Sequence, residues 1–150
     1  MTDGPLSITV SRLFRHRRER VFRAFSVAHK MAQWFTPHKD IRVQVLALQF
    51  EPQGAFRFRW DNPDGSHTIV GGRFQHIAPP EELVFTWVWE SPDPHAGILT
   101  HVVVQFLDRD GHTEVVIKHS RLPSQESCAR HKEGWDGALA TLDGWLPAHD

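Results

Sequence analysis

The chain has 150 residues, 17 Lys and Arg against 18 Asp and Glu, a net charge of −1 and a pI near 6.8. No global field therefore draws it onto nucleic acid or an anionic membrane, and neither is expected as a partner. A hydrophobic content of 40% with six Trp and ten Phe excludes disorder, and a single cysteine excludes an internal disulfide framework. No run of 18 apolar residues is present, so no membrane span is expected, and MTDGPLSITV lacks the basic and apolar regions of a secretory signal. A cytoplasmic protein of one domain, with its core at about residues 6–147, is the expectation at a length whose folding buries roughly 68–70% of the unfolded surface.

Ile8 and Val10 alternate with Thr9 and Ser11 in an opening strand that ends near Phe14. From Arg17 the period changes: Val21, Phe22 and Phe25 form one helical face, and a second short helix carries Met31, Trp34 and Phe35 before Pro37 stops it. Ile41 to Phe50 alternates as a strand, Pro52-Gln53-Gly54 turns the chain, and Phe56, Phe58 and Trp60 form a wholly aromatic face between Arg57 and Arg59. After the turn Asn62-Pro63-Asp64-Gly65 comes a strand over Thr68 to Ile77. Pro79-Pro80 ends it, and Leu83, Phe85, Trp87 and Trp89 alternate along the next. The loop Ser91 to Gly97 is Pro-rich enough to be mobile. Ile98–Leu107 and Thr113–Arg121 then form a hairpin across Asp110-Gly111; a two- or four-residue loop puts Val102, Val104 and Phe106 on the face of Val115, Ile117 and His119, with Thr100 inward beside them.

Ser124 to Pro147 reads as one long helix. Cys128, His131, Trp135, Ala138, Leu139, Leu142, Trp145 and Leu146 recur at three- and four-residue steps and make a single apolar stripe. Ser124 caps the start, Glu126 places a negative charge in the first turn and Pro147 marks the stop. At about 1.5 Å per residue the rod is about 34 Å long and spans a small domain, so the rest of the chain must wrap it. Gly137 and Gly144 fall away from Trp135, where each costs about 1 kcal/mol of helix propensity with no packing gain expected. Cys128 on the stripe reads as an inert buried thiol.

The run SITVSRLFRHRRERVFRAFSVAHKMAQWF, the turn EPQGAFRF, the pair GGRFQHIAPPEELVFTWVW and the ending HTEVVIKHSRLPSQESCARHKEGWDGALATLDGWL resemble the START-like (SRPBCC) domains, and among them the homologues of the activator of the ninety-kilodalton heat-shock chaperone's ATPase. The resemblance implies an α+β helix-grip fold: a curved antiparallel sheet wrapped around a long C-terminal helix, two short helices after strand one, and a cavity between sheet and helix. Relatives include lipid carriers, plant hormone receptors and polyketide cyclases, so it implies an architecture and leaves the ligand open. Contact with the chaperone is a further implication, although the eukaryotic activators carry an additional N-terminal domain for which 150 residues leave no space.

On that fold the expected cavity wall is Trp34, Phe56, Phe58, Trp60, Phe85, Trp87, Trp89, Thr100, Val102, Val104, His119, Trp135 and Leu139, with Trp34 closing one end and moving when a ligand enters. His119 is the candidate acid or base, with Thr100, His76 and Arg121 as helpers, but no carboxylate is placed to orient its ring, and a satisfied core histidine is the competing reading. Glu90 and Asp61, at strand ends, are a lesser candidate pair. Eleven histidines fall into no metal-binding spacing, and neither metal nor cofactor is expected. The basic run Arg12, Arg15, Arg17, Arg18, Arg20 and Arg23 reads as a solvated helix face. The functional expectation is a monomer or homodimer that binds a small hydrophobic or aromatic molecule as carrier or sensor; the rivals are a cyclase- or hydratase-type enzyme using His119 and a chaperone-interaction module.

Overall fold

Alternation and turn chemistry build seven strands and three helices in the computed structural model, which describes residues 6–149. Met1 to Pro5, the start of the stretch read for a signal, lie outside the described residues. β1 (Leu6–Phe14) is followed by α1 (Arg18–Ser26) and α2 (Ala28–Trp34), then β2 (Arg42–Leu48), β3 (Ala55–Asp61), β4 (His67–Ala78), β5 (Glu82–Trp89), β6 (Thr100–Arg109) and β7 (His112–Leu122), and α3 (Gln125–Trp145) ends in a 3₁₀ turn (Leu146–Ala148). The strands form one antiparallel sheet in the order β1-β7-β6-β5-β4-β3-β2. This is the helix-grip architecture expected from the sequence. The β6–β7 hairpin takes the two-residue loop: Arg109 pairs with His112, and Asp110 and Gly111 both have positive φ, 56° and 87°. That turn matches the right-handed twist of its strands and fixes Val102 opposite His119.

The inward residues of β3, β5, β6 and β7 bury against α3, whose stripe from Cys128 through Trp135 and Leu142 to Leu146 is buried as its periodicity requires. Ser124 caps the helix by accepting from Ser127 N–H. The C-terminal end is clamped by the basic run: Arg20 donates to the carbonyls of Leu146 and His149, and Arg12 pairs with Asp143 at 3.0 Å. Cations at a helix C-terminus complement its dipole, so part of the run is structural rather than only solvated.

Gly137 corrects the expectation that it has no packing role. A Cβ there would lie 2.1 Å from the Pro37 carbonyl oxygen, because the segment after α2 crosses directly over the backbone of α3. Glycine is what lets the two backbones meet. At Gly144 a Cβ would meet nothing within 4 Å, as the sequence reading supposed. The Pro-rich loop read as mobile is anchored through Asp93, 8% exposed, which Arg130 of α3 grips through both carboxylate oxygens.

Candidate functional site

Where α3 diverges from the ends of β3, β4 and β5, a cleft of about 690 Å³ remains. Phe35, Trp60, Trp87, Trp89 and Trp135 form its apolar wall; Thr36 to His38, Ile41, Asn62, Thr68, Arg130, His131, Glu133, Gly134, Gly137 and Ala138 complete it. The indoles pack on one another: Trp87 lies 5.1 Å from Trp135, 6.2 Å from Trp60 and 5.7 Å from Trp89, the last pair at 89°. Offset and edge-to-face contacts of this kind suit aromatic quadrupoles.

Each of the four indole N–H groups is either bonded within the protein or sealed from solvent. Trp60 donates to Phe35 O at 2.8 Å, Trp89 to His131 Nε2 at 2.9 Å and Trp135 to His119 Nδ1 at 3.0 Å. The Trp87 nitrogen is sealed from solvent and has no hydrogen-bond partner among the described residues. These rings therefore present carbon to the space they enclose.

Behind them a chain of hydrogen bonds crosses the core. Thr100 has one hydroxyl proton and donates it to Trp87 O at 2.7 Å, so the 2.8 Å contact between Thr100 Oγ1 and His119 Nε2 requires the proton on Nε2. His119 Nδ1 must then be the bare nitrogen that accepts from Trp135. His119 is thus neutral with both nitrogens engaged; burial, followed by the like-charge repulsion that a second proton would meet from protonated His131 and His101, pushes its pKa down to about 2. His131 is the mirror case. Its Nε2 accepts from Trp89, so Nδ1 carries the hydrogen and donates to Ser127 O at 2.7 Å, and burial again is the first cause lowering its pKa. The two imidazoles meet edge to face with centroids 4.6 Å apart.

At the rim, the Arg130 guanidinium lies 4.7 Å over the Trp89 ring while held by Asp93. Burial alone would raise the Asp93 pKa, but its bonds from Arg130 and from His95 N–H outweigh this and hold it lowered and ionised. Glu133 is exposed at the opening.

Of the residues expected from the sequence, Trp60, Trp87, Trp89 and Trp135 come together on the cleft wall. Phe56, Phe58 and Phe85 face a deeper gap of only about 20 Å³, scarcely room for one water. Thr100, Val102, Val104, His119 and Leu139 do face inward but lie in solid core, each at most 5% exposed, because α3 fills the space over that part of the sheet. Trp34 is fully buried beneath Phe35 and donates to Ala24 O at 2.9 Å, so it does not close the cleft; Phe35 and the residues after it do. His76 faces Glu82 on the exposed side, and Arg121 is exposed, so neither assists His119. Glu90 and Asp61 are each held by their own arginine, Arg57 and Arg59. Among the described residues no group of three His, Cys, Asp or Glu is arranged to hold a metal ion, and no helix is long and apolar enough to cross a membrane. The sequence reading missed the rim, which lies on the α2–β2 segment, the β3–β4 turn and the shoulder of α3. Gly137 was the available signal, since a glycine inside a helix can have a packing reason, but Gly134 and Gly144 in the same helix stand in open space and dilute it.

A seven-stranded sheet gripping a long C-terminal helix, with a cleft between them, defines a START-like helix-grip protein. The chain belongs to the family described as activator of Hsp90 ATPase homolog 1-like proteins, whose model matches residues 15–146. It is 27% identical to the human activator of 90 kDa heat shock protein ATPase homolog 1 over 129 residues, 85% of this chain but 33% of that protein. Among solved structures it resembles an AHSA1 protein from Silicibacter pomeroyi, 28% identical with a TM-score of 0.83 over 95% of this chain and 98% of the other. A Chromobacterium violaceum protein, 20% identical with a TM-score of 0.84 over 95% and 98%, shares the fold.

Proposed function

We propose that the protein binds a small, flat, largely apolar molecule in the cleft. The observation that carries this reading is the wall of four indoles and Phe35 around about 690 Å³, a volume in the range of small-molecule sites. Covering that much aromatic surface is worth several kcal/mol at about 25 cal/mol per Å². His119 does not act as an acid or base in this reading, since both its nitrogens already hold protein partners and it is 0% exposed.

The test uses the neutral probe N-phenyl-1-naphthylamine with tryptophan quenching as the readout, alongside native mass spectrometry of the protein as purified. Gly134 lines the cleft, and a Cβ built on it meets nothing within 4 Å, so a side chain there starts in open space and Gly134→Phe is the variant chosen to obstruct the opening. Saturable quenching by the wild type and its loss in Gly134→Phe is the expected result. Equal quenching in both proteins would reject the cleft as the site.

Contact with the chaperone is a second reading, supported by the similarity to the human activator over a third of its length. Its test is stimulation of chaperone ATPase turnover by the purified chain.

A further inference from the structure

We infer that the cleft selects an organic cation, a small amine or quaternary ammonium carrying an aromatic or alkyl group, over neutral and anionic molecules of the same shape. This rests on the reading of the cleft as a binding site and names the class of its occupant.

The first ground is the shortage of donors. An anion needs N–H or O–H groups aimed at it, and along this wall the indole N–H groups and that of His131 are bonded within the protein or sealed, leaving the neutral Asn62 and Thr68 at its edge. Three indole N–H groups go to Phe35 O, His131 and His119, and the fourth is sealed. His131 donates into its own helix. Arg130 is the cationic side chain at the rim, and both of its terminal nitrogens are bound to Asp93, a carboxylate with 1% side-chain exposure. Its charge is thereby neutralised.

The second ground is what remains. With Arg130 and Asp93 cancelling, His131 held neutral by its two bonds and His38 facing Asp40 at 3.6 Å, Glu133 is left as the carboxylate of the rim without an ion-pair partner among the described residues. The enclosing surfaces are indoles with no N–H presented, whose faces carry the negative side of the ring quadrupole. Trp87 and Trp89 stand at 89° and Trp60 is tilted 43° and 47° to them, so the walls meet a guest from several directions. Arg130 over Trp89 is an example within this molecule of a cation settled on one of these rings. Aromatic walls with a carboxylate at the opening are the chemistry that holds ammonium groups.

Three probes of nearly one shape decide it: benzyltrimethylammonium, its uncharged isostere neopentylbenzene, and phenylacetate. The full chain is titrated with each at low ionic strength by tryptophan quenching, and again with Glu133→Gln, a change at an exposed position. The cation should bind about tenfold tighter than the isostere and phenylacetate should not compete, the scale of one desolvated cation–π contact aided by a rim charge. Glu133→Gln should weaken the cation about threefold and leave the isostere unchanged, and added salt should act in the same direction. Equal or tighter binding of neopentylbenzene, preference for phenylacetate, or indifference of the cation to Glu133→Gln would overturn the inference while leaving the cleft a binding site. Failure of all three probes and of N-phenyl-1-naphthylamine would remove both.

Discussion

Replacing His119 by Ala separates a structural role from a binding one. The imidazole joins three strands and the helix, as it accepts from Trp135, donates to Thr100 and through Thr100 reaches Trp87 O. Truncation leaves the Trp135 N–H, on a ring 4% exposed, without an acceptor, at about 1–3 kcal/mol. It also removes the bond to Thr100, about 1 kcal/mol, and opens a void where the ring was fully buried, about 1–2 kcal/mol more. A total near 4 kcal/mol is a large part of the 5–15 kcal/mol typical of a whole domain. With a urea dependence of about 2 kcal/mol per M, the midpoint should fall by about 2 M. Thr100→Val keeps the volume but strands His119 Nε2–H and Trp87 O, and should cost about 2 kcal/mol. The double variant should cost less than the sum, because the two residues act on one chain of bonds. Under native conditions the affinity of His119→Ala for a cleft probe should stay within about twofold. A midpoint shift below about 0.5 M, or a loss of binding in a fully folded variant, would refute this account.

The two buried histidines also make stability depend on pH. Folded His119 titrates near 2 against about 6.5 when unfolded, and His131 is lowered as well, so below pH 6.5 the unfolded chain takes up protons that the folded chain refuses. Stability should be flat above that pH and fall on acidification by up to about 1.4 kcal/mol per pH unit for each ring; denaturant midpoints that rise between pH 7.5 and 5 would contradict the neutral assignment. Gly137→Ala should lower the melting temperature despite alanine's better helix propensity, by an amount corresponding to about 1–3 kcal/mol, since Pro37 must move; Gly144→Ala, in open space, should raise it by up to about 1 kcal/mol. Asp93→Asn should release the loop 91–97, seen as faster amide exchange there, and should weaken the binding of a cationic probe, because the Arg130 charge then stands uncompensated beside the cleft.

The strands, the helices and the inward faces were legible because period and turn chemistry are local properties: alternation in Phe56 to Trp60 and Leu83 to Trp89, Asp110-Gly111 between two β-rich runs, and the stripe from Cys128 to Leu146. Parity also placed His119 inward and opposite Val102. Parity cannot say whether the space inward is filled. That depends on which strands α3 lies close against and from which it lifts away, so Thr100, Val102, Val104 and His119, on β6 and β7, are core whereas Trp60, Trp87 and Trp89, on β3 and β5, face the cleft. Trp34 was misplaced by one residue of helical phase: its N–H reaches back to Ala24, and Phe35 takes the position at the wall. The neutralisation of Arg130 by Asp93 joins a loop and a helix 37 residues apart and has no sequence period to reveal it.

The four neighbouring indoles have an optical consequence. Their centroids stand 5.1–6.2 Å apart in the closest pairs, and their planes are tilted by 43–89° rather than parallel. Transition dipoles so close and so skewed share excitation, and a skewed, chirally arranged set gives paired circular-dichroism bands of opposite sign in the indole region, which a lone tryptophan does not. The protein thus carries a built-in, label-free spectroscopic reporter. A guest entering among the rings would alter the exciton coupling between Trp60, Trp87, Trp89 and Trp135, whereas a molecule adhering elsewhere would leave the couplet unchanged.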